Sequence, residues 1–121
     1  MTEPQQHFLE AVAFHRTGDL TAAEPLYQSV LKAVPHHLDA MYLLGTLQLQ
    51  QGQFEAAVER LTQVCSVQPE VAAAHNNLGI AYKALGRLDE AVHCFERAIA
   101  REKNYVEAYF NLGQIRQAQQ R

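Results

Sequence analysis

Gly18-Asp-Leu-Thr-Ala-Ala23, Gly52-Gln-Phe-Glu-Ala-Ala57 and Gly86-Arg-Leu-Asp-Glu-Ala91 lie 34 residues apart, each opening on glycine, with an apolar residue two places on and alanine last. The same shift superposes Leu44-Gly45, Leu78-Gly79 and Leu112-Gly113. It also sets Pro35 against Pro69, and no insertion or deletion is needed. A fixed period of this length is the signature of a solenoid, whose units bury their apolar faces only against neighbours.

Working outward from these hexapeptides, each unit reads as two helices. Ala74, Leu78, Ala81, Tyr82 and Leu85 recur at helical spacing and predict a first helix over 71–84. Gly86 suits a backbone leaving that helix at positive φ. Asp89-Glu90 place negative charge where the next helix presents the positive end of its dipole. That second helix carries Leu88, Ala91, Val92, Phe95, Ala98 and Ile99 on its buried side. Pro35 and Pro69 stop the second helices of the first two units. Pro25 fits only if its helix starts near Leu20 or Thr21, placing it in or beside the first turn. Small residues (Ala23, Ala57, Ala91; Ala11, Gly45, Gly79, Gly113) alternate with large ones (Tyr27, Leu61, Phe95) at equivalent places. Such alternation lets helix axes approach closely while the large side chains fill the gaps.

This pattern resembles the tetratricopeptide repeat family: Leu-Gly, then Tyr, Ala, Phe, Ala and Pro at fixed places in 34. In the family's phase the units are Pro4–His37, Leu38–Val71 and Ala72–Tyr105, with Val106–Arg121 as a lone first helix of a fourth unit. The third unit matches best, through Leu78, Gly79, Tyr82, Ala91, Phe95 and Ala98, with His75 where Trp is common. Glu10, Gln48 and Arg116 depart from the pattern. The resemblance implies an all-α, right-handed superhelix of antiparallel helix pairs, residues 1–121 forming a single domain. The half unit at the end is expected to be either a polar cap or a cut.

The 121 residues are 48% apolar and 19% charged, with a formal net charge of -3. These values predict a soluble, mildly acidic folded chain without the basic patch of a nucleic-acid surface. No apolar run approaches the roughly 18 residues of a membrane helix, and Met1–His7 does not read as a secretory signal. Cys65 and Cys94 lack CxxC spacing and read as reduced thiols, which favours the cytoplasm. Six histidines form neither HExxH nor a zinc cluster, and His36-His37 reads as a solvated turn. His7 and His75 share a position that packs between helices. With no nucleophile elbow and no phosphate loop, the chain is expected to have no catalytic site, metal or cofactor.

The resemblance also implies a concave face lined by first helices and used to bind peptides or proteins. Its inward positions here are Phe8, Tyr42, Asn76 and Phe110; Leu9, Leu43, Asn77 and Asn111; Val12, Thr46, Ile80 and Gln114; and His15, Leu49, Lys83 and Gln117. The N-terminal half is apolar and the C-terminal half rich in amides. Asn77 and Asn111 resemble the asparagine ladder of the O-linked N-acetylglucosamine transferase repeats, and an amide both donates to and accepts from a peptide backbone. Phe8, Leu9, Val12, Tyr42 and Leu43 would anchor an apolar or aromatic segment. The clamp for acidic chaperone tails, with Lys at the fifth place and Asn at the ninth, is absent, since Phe8 and Val12 stand there. The leading expectation is a non-catalytic scaffold whose groove holds a protein or peptide segment. The alternatives are the repeat arm of a larger enzyme, such as a glycosyltransferase or sulfotransferase, and a self-associating structural module.

Overall fold

The second helices end one residue before the one that precedes Pro35 and Pro69, because the proline ring disfavours helical backbone in its predecessor. Val34 and Gln68 accordingly leave the helix at φ -132°, ψ 84° and φ -126°, ψ 71°. The computed structural model describes residues 1–120; Arg121, last residue of the expected terminal helix, lies outside the described residues. Those residues form seven helices and no strand: α1 (Glu3–Arg16), α2 (Leu20–Ala33), α3 (Leu38–Gln50), α4 (Phe54–Val67), α5 (Ala72–Ala84), α6 (Leu88–Arg101) and α7 (Val106–Gln119). Glu102 takes the same extended turn-out after α6, although Lys103 replaces the proline.

Within each unit the turn is chemically determined. Gly18, Gly52 and Gly86 have φ of 85°, 78° and 76°, where a Cβ would be strained. The next N–H reaches back to a carbonyl three positions before the cap, Asp19 to Phe14 (2.9 Å), Gln53 to Gln48 (2.8 Å) and Arg87 to Tyr82 (2.9 Å). This is a Schellman closure, which satisfies carbonyls that the helix end leaves free. It reverses the chain so that α1·α2, α3·α4 and α5·α6 pack as antiparallel pairs. The first helices α3, α5 and α7 also meet one another, and the result is an α-solenoid.

The small-and-large alternation fills the interior as its spacing requires. Ala23, Ala57, Ala91, Tyr27, Leu61 and Phe95 are fully buried. Gly79 is the tightest notch: a Cβ there would lie 2.7 Å from the Phe95 ring, and one at Gly45 would lie 3.0 Å from Leu61 Cγ. Pro25 is the sixth residue of a helix that starts at Leu20, beside the first turn. It removes only the bond to the carbonyl of solvent-exposed Thr21.

Four sequence expectations need correction. Gly113 is not a packing glycine, because nothing lies within 4 Å of its missing Cβ. The second helix that fills this notch in the other units has no counterpart against α7 among the described residues. For the same reason α7 is not uniformly a polar cap: Val106, Tyr109 and Phe110 are 76%, 51% and 64% exposed. His37 is not merely a solvated turn residue. Its Nδ1 accepts the Ala40 N–H at 3.1 Å and caps α3, while its ring lies 4.7 Å from that of Phe8. The expected inward-facing Asn76 is sealed inside the stack.

Candidate binding groove

Along the concave face the first helices form two polar clusters, each crossing a repeat boundary: Tyr42, Thr46 and Asn77 in one, and Asn76, Lys83, Asn111 and Gln114 in the other. Asn77 Nδ2 donates to Tyr42 Oη at 3.2 Å and to Thr46 Oγ1 at 3.4 Å. One repeat further on, Asn111 Nδ2 donates to Asn76 Oδ1 at 3.4 Å. The Lys83 ammonium donates to Asn111 Oδ1 at 3.4 Å and to Gln114 Oε1. These bonds join residues 28–35 positions apart, in neighbouring repeats, and so fix the orientations of the amides.

The two asparagines are differently engaged. Asn77 is half-buried, and its Oδ1 makes no hydrogen bond among the described residues, leaving an acceptor available. Asn111 already accepts from Lys83. Asn76, grouped with them as a ligand contact on its repeat position, is 0% exposed and carries a buried Nδ2 with no partner. The superhelix closes over it, so its role is to hold Asn111. Lys83 meets only neutral amides, and no carboxylate pairs with it among the described residues.

The apolar half divides similarly. Phe8, Val12, Tyr42 and Leu43 are partly buried against the core formed by the first two units. Leu9, 53% exposed, stands free beside them, and Phe110 is open at the other end. A small recess lined by Met1, Gln5, Phe8, Leu9 and His37 marks the N-terminal end.

Three further histidines hold the helices together. His15 Nε2 donates to Gln50 Oε1 at 2.7 Å, which leaves Nδ1 to accept the Tyr27 hydroxyl at 2.9 Å. His75, buried as its packing position implies, donates Nε2 to the Pro69 carbonyl at 2.7 Å. His7 reaches Ser29 Oγ at 2.9 Å. Burial pushes the thiols up, Cys65 to about 11 and Cys94 to about 12, so both are protonated and unreactive at neutral pH. No group of three metal-ligating side chains and no helix long and apolar enough to cross a membrane occurs among the described residues.

Three side chains take roles that the repeat pattern alone does not assign. The capping role of His37 was open to inspection, since it precedes α3 by one place. Gln48 is buried with Oε1 unpartnered where the family prefers Tyr. Arg60 stands where the first and third units hold Leu26 and Cys94, a break that comparison of the repeat register exposes.

A helical-repeat scaffold with a polar, preoriented concave face is the class these features define. A profile described as "Tetratricopeptide repeat" matches residues 15–76, and a second with the same description matches residues 72–105. The chain belongs to the tetratricopeptide repeat family, a fold of protein-interaction modules. Among curated proteins it is 32% identical over 85 residues to Protein O-mannosyl-transferase TMTC3 of Homo sapiens, covering 70% of the chain and 9% of that protein. It is also 32% identical over 83 residues to a probable UDP-N-acetylglucosamine–peptide N-acetylglucosaminyltransferase SPINDLY of Solanum lycopersicum, covering 69% of the chain and 9% of that protein. The chain thus spans under a tenth of the length of either. Among solved structures, MamA 41-end from Desulfovibrio magneticus RS-1 superposes with TM-score 0.94 at 24% identity, over 98% of this chain and 67% of that one. The first repeat domain of Spaghetti (RPAP3), bound to the HSP90 peptide SRMEEVD, superposes with TM-score 0.91 at 21% identity, over 98% of this chain and 94% of that one. These likenesses establish the fold alone.

Proposed function

We propose that the chain is a non-catalytic binding unit that holds an extended protein segment in its concave groove. Residues 1–121 act as one domain with repeats at 4–37, 38–71 and 72–105 and a terminal helix from 106. The observation that carries this reading is the row of preoriented amides, Asn77 held by Tyr42 and Thr46 and Asn111 held by Asn76 and Lys83. Asn77 contacts the ligand backbone, Asn111 and Gln114 extend the row, and Lys83 supplies the one ammonium in it. Leu9, Phe8, Val12 and Tyr42 offer apolar contact at one end, and Phe110 at the other. A structure related in fold carries a peptide, SRMEEVD. The Phe8 and Val12 positions argue for a ligand other than an acidic chaperone tail. A cytoplasmic location agrees with two unpaired thiols.

The test is a random twelve-residue peptide library displayed on phage and selected on the whole chain. A selected peptide is expected to bind about ten-fold or more weakly to the double variant Asn77→Ala, Asn111→Ala, since several backbone hydrogen bonds are removed. Far-ultraviolet circular dichroism should be unchanged. Equal affinity for both proteins refutes the amide row.

A second reading is favoured by the transferase names of the two relatives and the small share of their length that this chain covers. Here the groove presents a protein substrate to a transferase domain on the same polypeptide. Reading the coding sequence in both directions tests it: a transferase domain on the same polypeptide, before or after the repeats, supports this reading, and the lack of one on either side removes it. Self-association through the exposed face of α7 is the third reading, favoured by Val106, Tyr109 and Phe110. A concentration-independent monomer in sedimentation velocity removes it.

A further inference from the structure

Arg60 breaks the repeat pattern. The equivalent places in the first and third units hold Leu26 and Cys94, apolar residues of the packed interior. Its Cβ lies against Gly45, which roots the stem in the α3·α4 junction. Arg60 lines a cleft of about 830 Å³ between α2, the start of α3, and α4. Leu31, Leu38 and Met41 line its floor, and Ser66 and Val67 stand on its rim. The cleft shares no lining residue with the amide row. Arg60 is half-buried, yet it makes no ion pair and no side-chain hydrogen bond among the described residues. No Asp or Glu lines the cleft.

An arginine lining a cleft that holds no carboxylate has its fork of donors unpaired within the chain's described residues, and a carboxylate is its natural bidentate partner. An apolar lining with polar side chains and an arginine beside it is the anatomy of a small protein interface. We infer that this cleft is a second docking site, taking a partner protein segment that sets one large apolar side chain on Leu31, Leu38 and Met41 and one carboxylate on Arg60. The segment binds independently of the concave groove, so a single chain can hold two protein segments at once. Charge complementarity selects the partner: an acidic residue or a chain-terminal carboxylate adjacent to the apolar anchor.

The test uses two fragments, N-acetyl-L-phenylalanine and its uncharged amide, titrated into the whole chain and followed by ¹H–¹⁵N correlation spectra. The acid is expected to shift Leu31, Met41, Arg60, Ser66 and Val67 with millimolar affinity, and the amide to bind about ten-fold more weakly. Arg60→Leu should abolish the difference and still fold, since Leu26 occupies the same place in the first unit. Arg60→Lys should retain part of it. The site is overturned if acid and amide bind alike, if Arg60→Leu leaves the acid's affinity intact, or if the shifts map to Tyr42 and Asn77. Shifts caused by dodecanoate but not by the acetylated amino acid would assign the cleft to a lipid carboxylate and overturn the protein-segment reading. None of these outcomes depends on the concave amides, whose own test uses different residues.

Discussion

Three glycines at one repeat position, Gly45, Gly79 and Gly113, should respond to alanine with opposite signs. Alanine in a helix interior is favoured over glycine by about 1 kcal/mol through backbone entropy. At Gly113 nothing lies within 4 Å of the new Cβ, so Gly113→Ala should stabilise by about that amount. At Gly79 the Cβ would sit 2.7–2.9 Å from three ring carbons of Phe95, which is fully buried and cannot swing aside. Overpacking of this kind destabilises by about 1–3 kcal/mol, enough to reverse the propensity gain. Gly45→Ala should fall between, since its closest neighbour, 3.0 Å away, is the branch of a leucine with some freedom to shift. Urea unfolding followed at 222 nm gives the three values. In thermal melts each 1 kcal/mol corresponds to about 4 °C. The expected order of stability is Gly113→Ala, Gly45→Ala, Gly79→Ala, with the wild type between the first and the last. If Gly79→Ala stabilises as much as Gly113→Ala, the notch packing described here is wrong.

Pro25→Ala restores the missing N–H donor to the Thr21 carbonyl and should raise the urea midpoint by about 1 kcal/mol in stability. His37→Ala loses the α3 cap and the ring contact with Phe8; a loss near 1 kcal/mol is expected, and an unchanged midpoint would show that neither matters. Stability should fall at alkaline pH. Burial raises Cys65 from 9.0 to about 11, Cys94 from 9.0 to about 12 and Tyr27 from 10.0 to about 12. The folded chain therefore keeps protons that the unfolded chain releases: the contribution is complete below pH 9 and is lost as pH rises toward 11–12. Urea midpoints at intervals from pH 8 to 11 check this, and a flat profile would contradict the burial of these groups.

The helices and turns were legible in the sequence because each is set locally. Gly18, Gly52 and Gly86 mark the Schellman turns, Pro35 and Pro69 end helices, and Ala57 with Leu61 or Ala91 with Phe95 carries the packing register. The surface was less legible, because it depends on how successive repeats overlap. Asn76 and Asn77 are neighbours of one residue type, yet the next repeat seals the first and leaves the second half open. Gly113 matches Gly79 in sequence and lacks only the helix that would fill its notch. His37 looks like a turn residue until the first repeat brings Phe8 against it. Arg60 could have been noticed, since Leu26 and Cys94 hold the same register, but its cleft exists only once α2 and α4 are both packed on α3.

The side-chain amide resonances of Asn77 and Asn111 report most directly on the groove. On titration of the chain with a peptide selected from the random library, both are expected to shift and saturate together with the backbone amides of Thr46, Lys83 and Gln114. A peptide that binds with comparable affinity while those amides stay in place, its shifts confined to α7 or to the cleft beside Arg60, would contradict the assignment of the concave face as the binding surface.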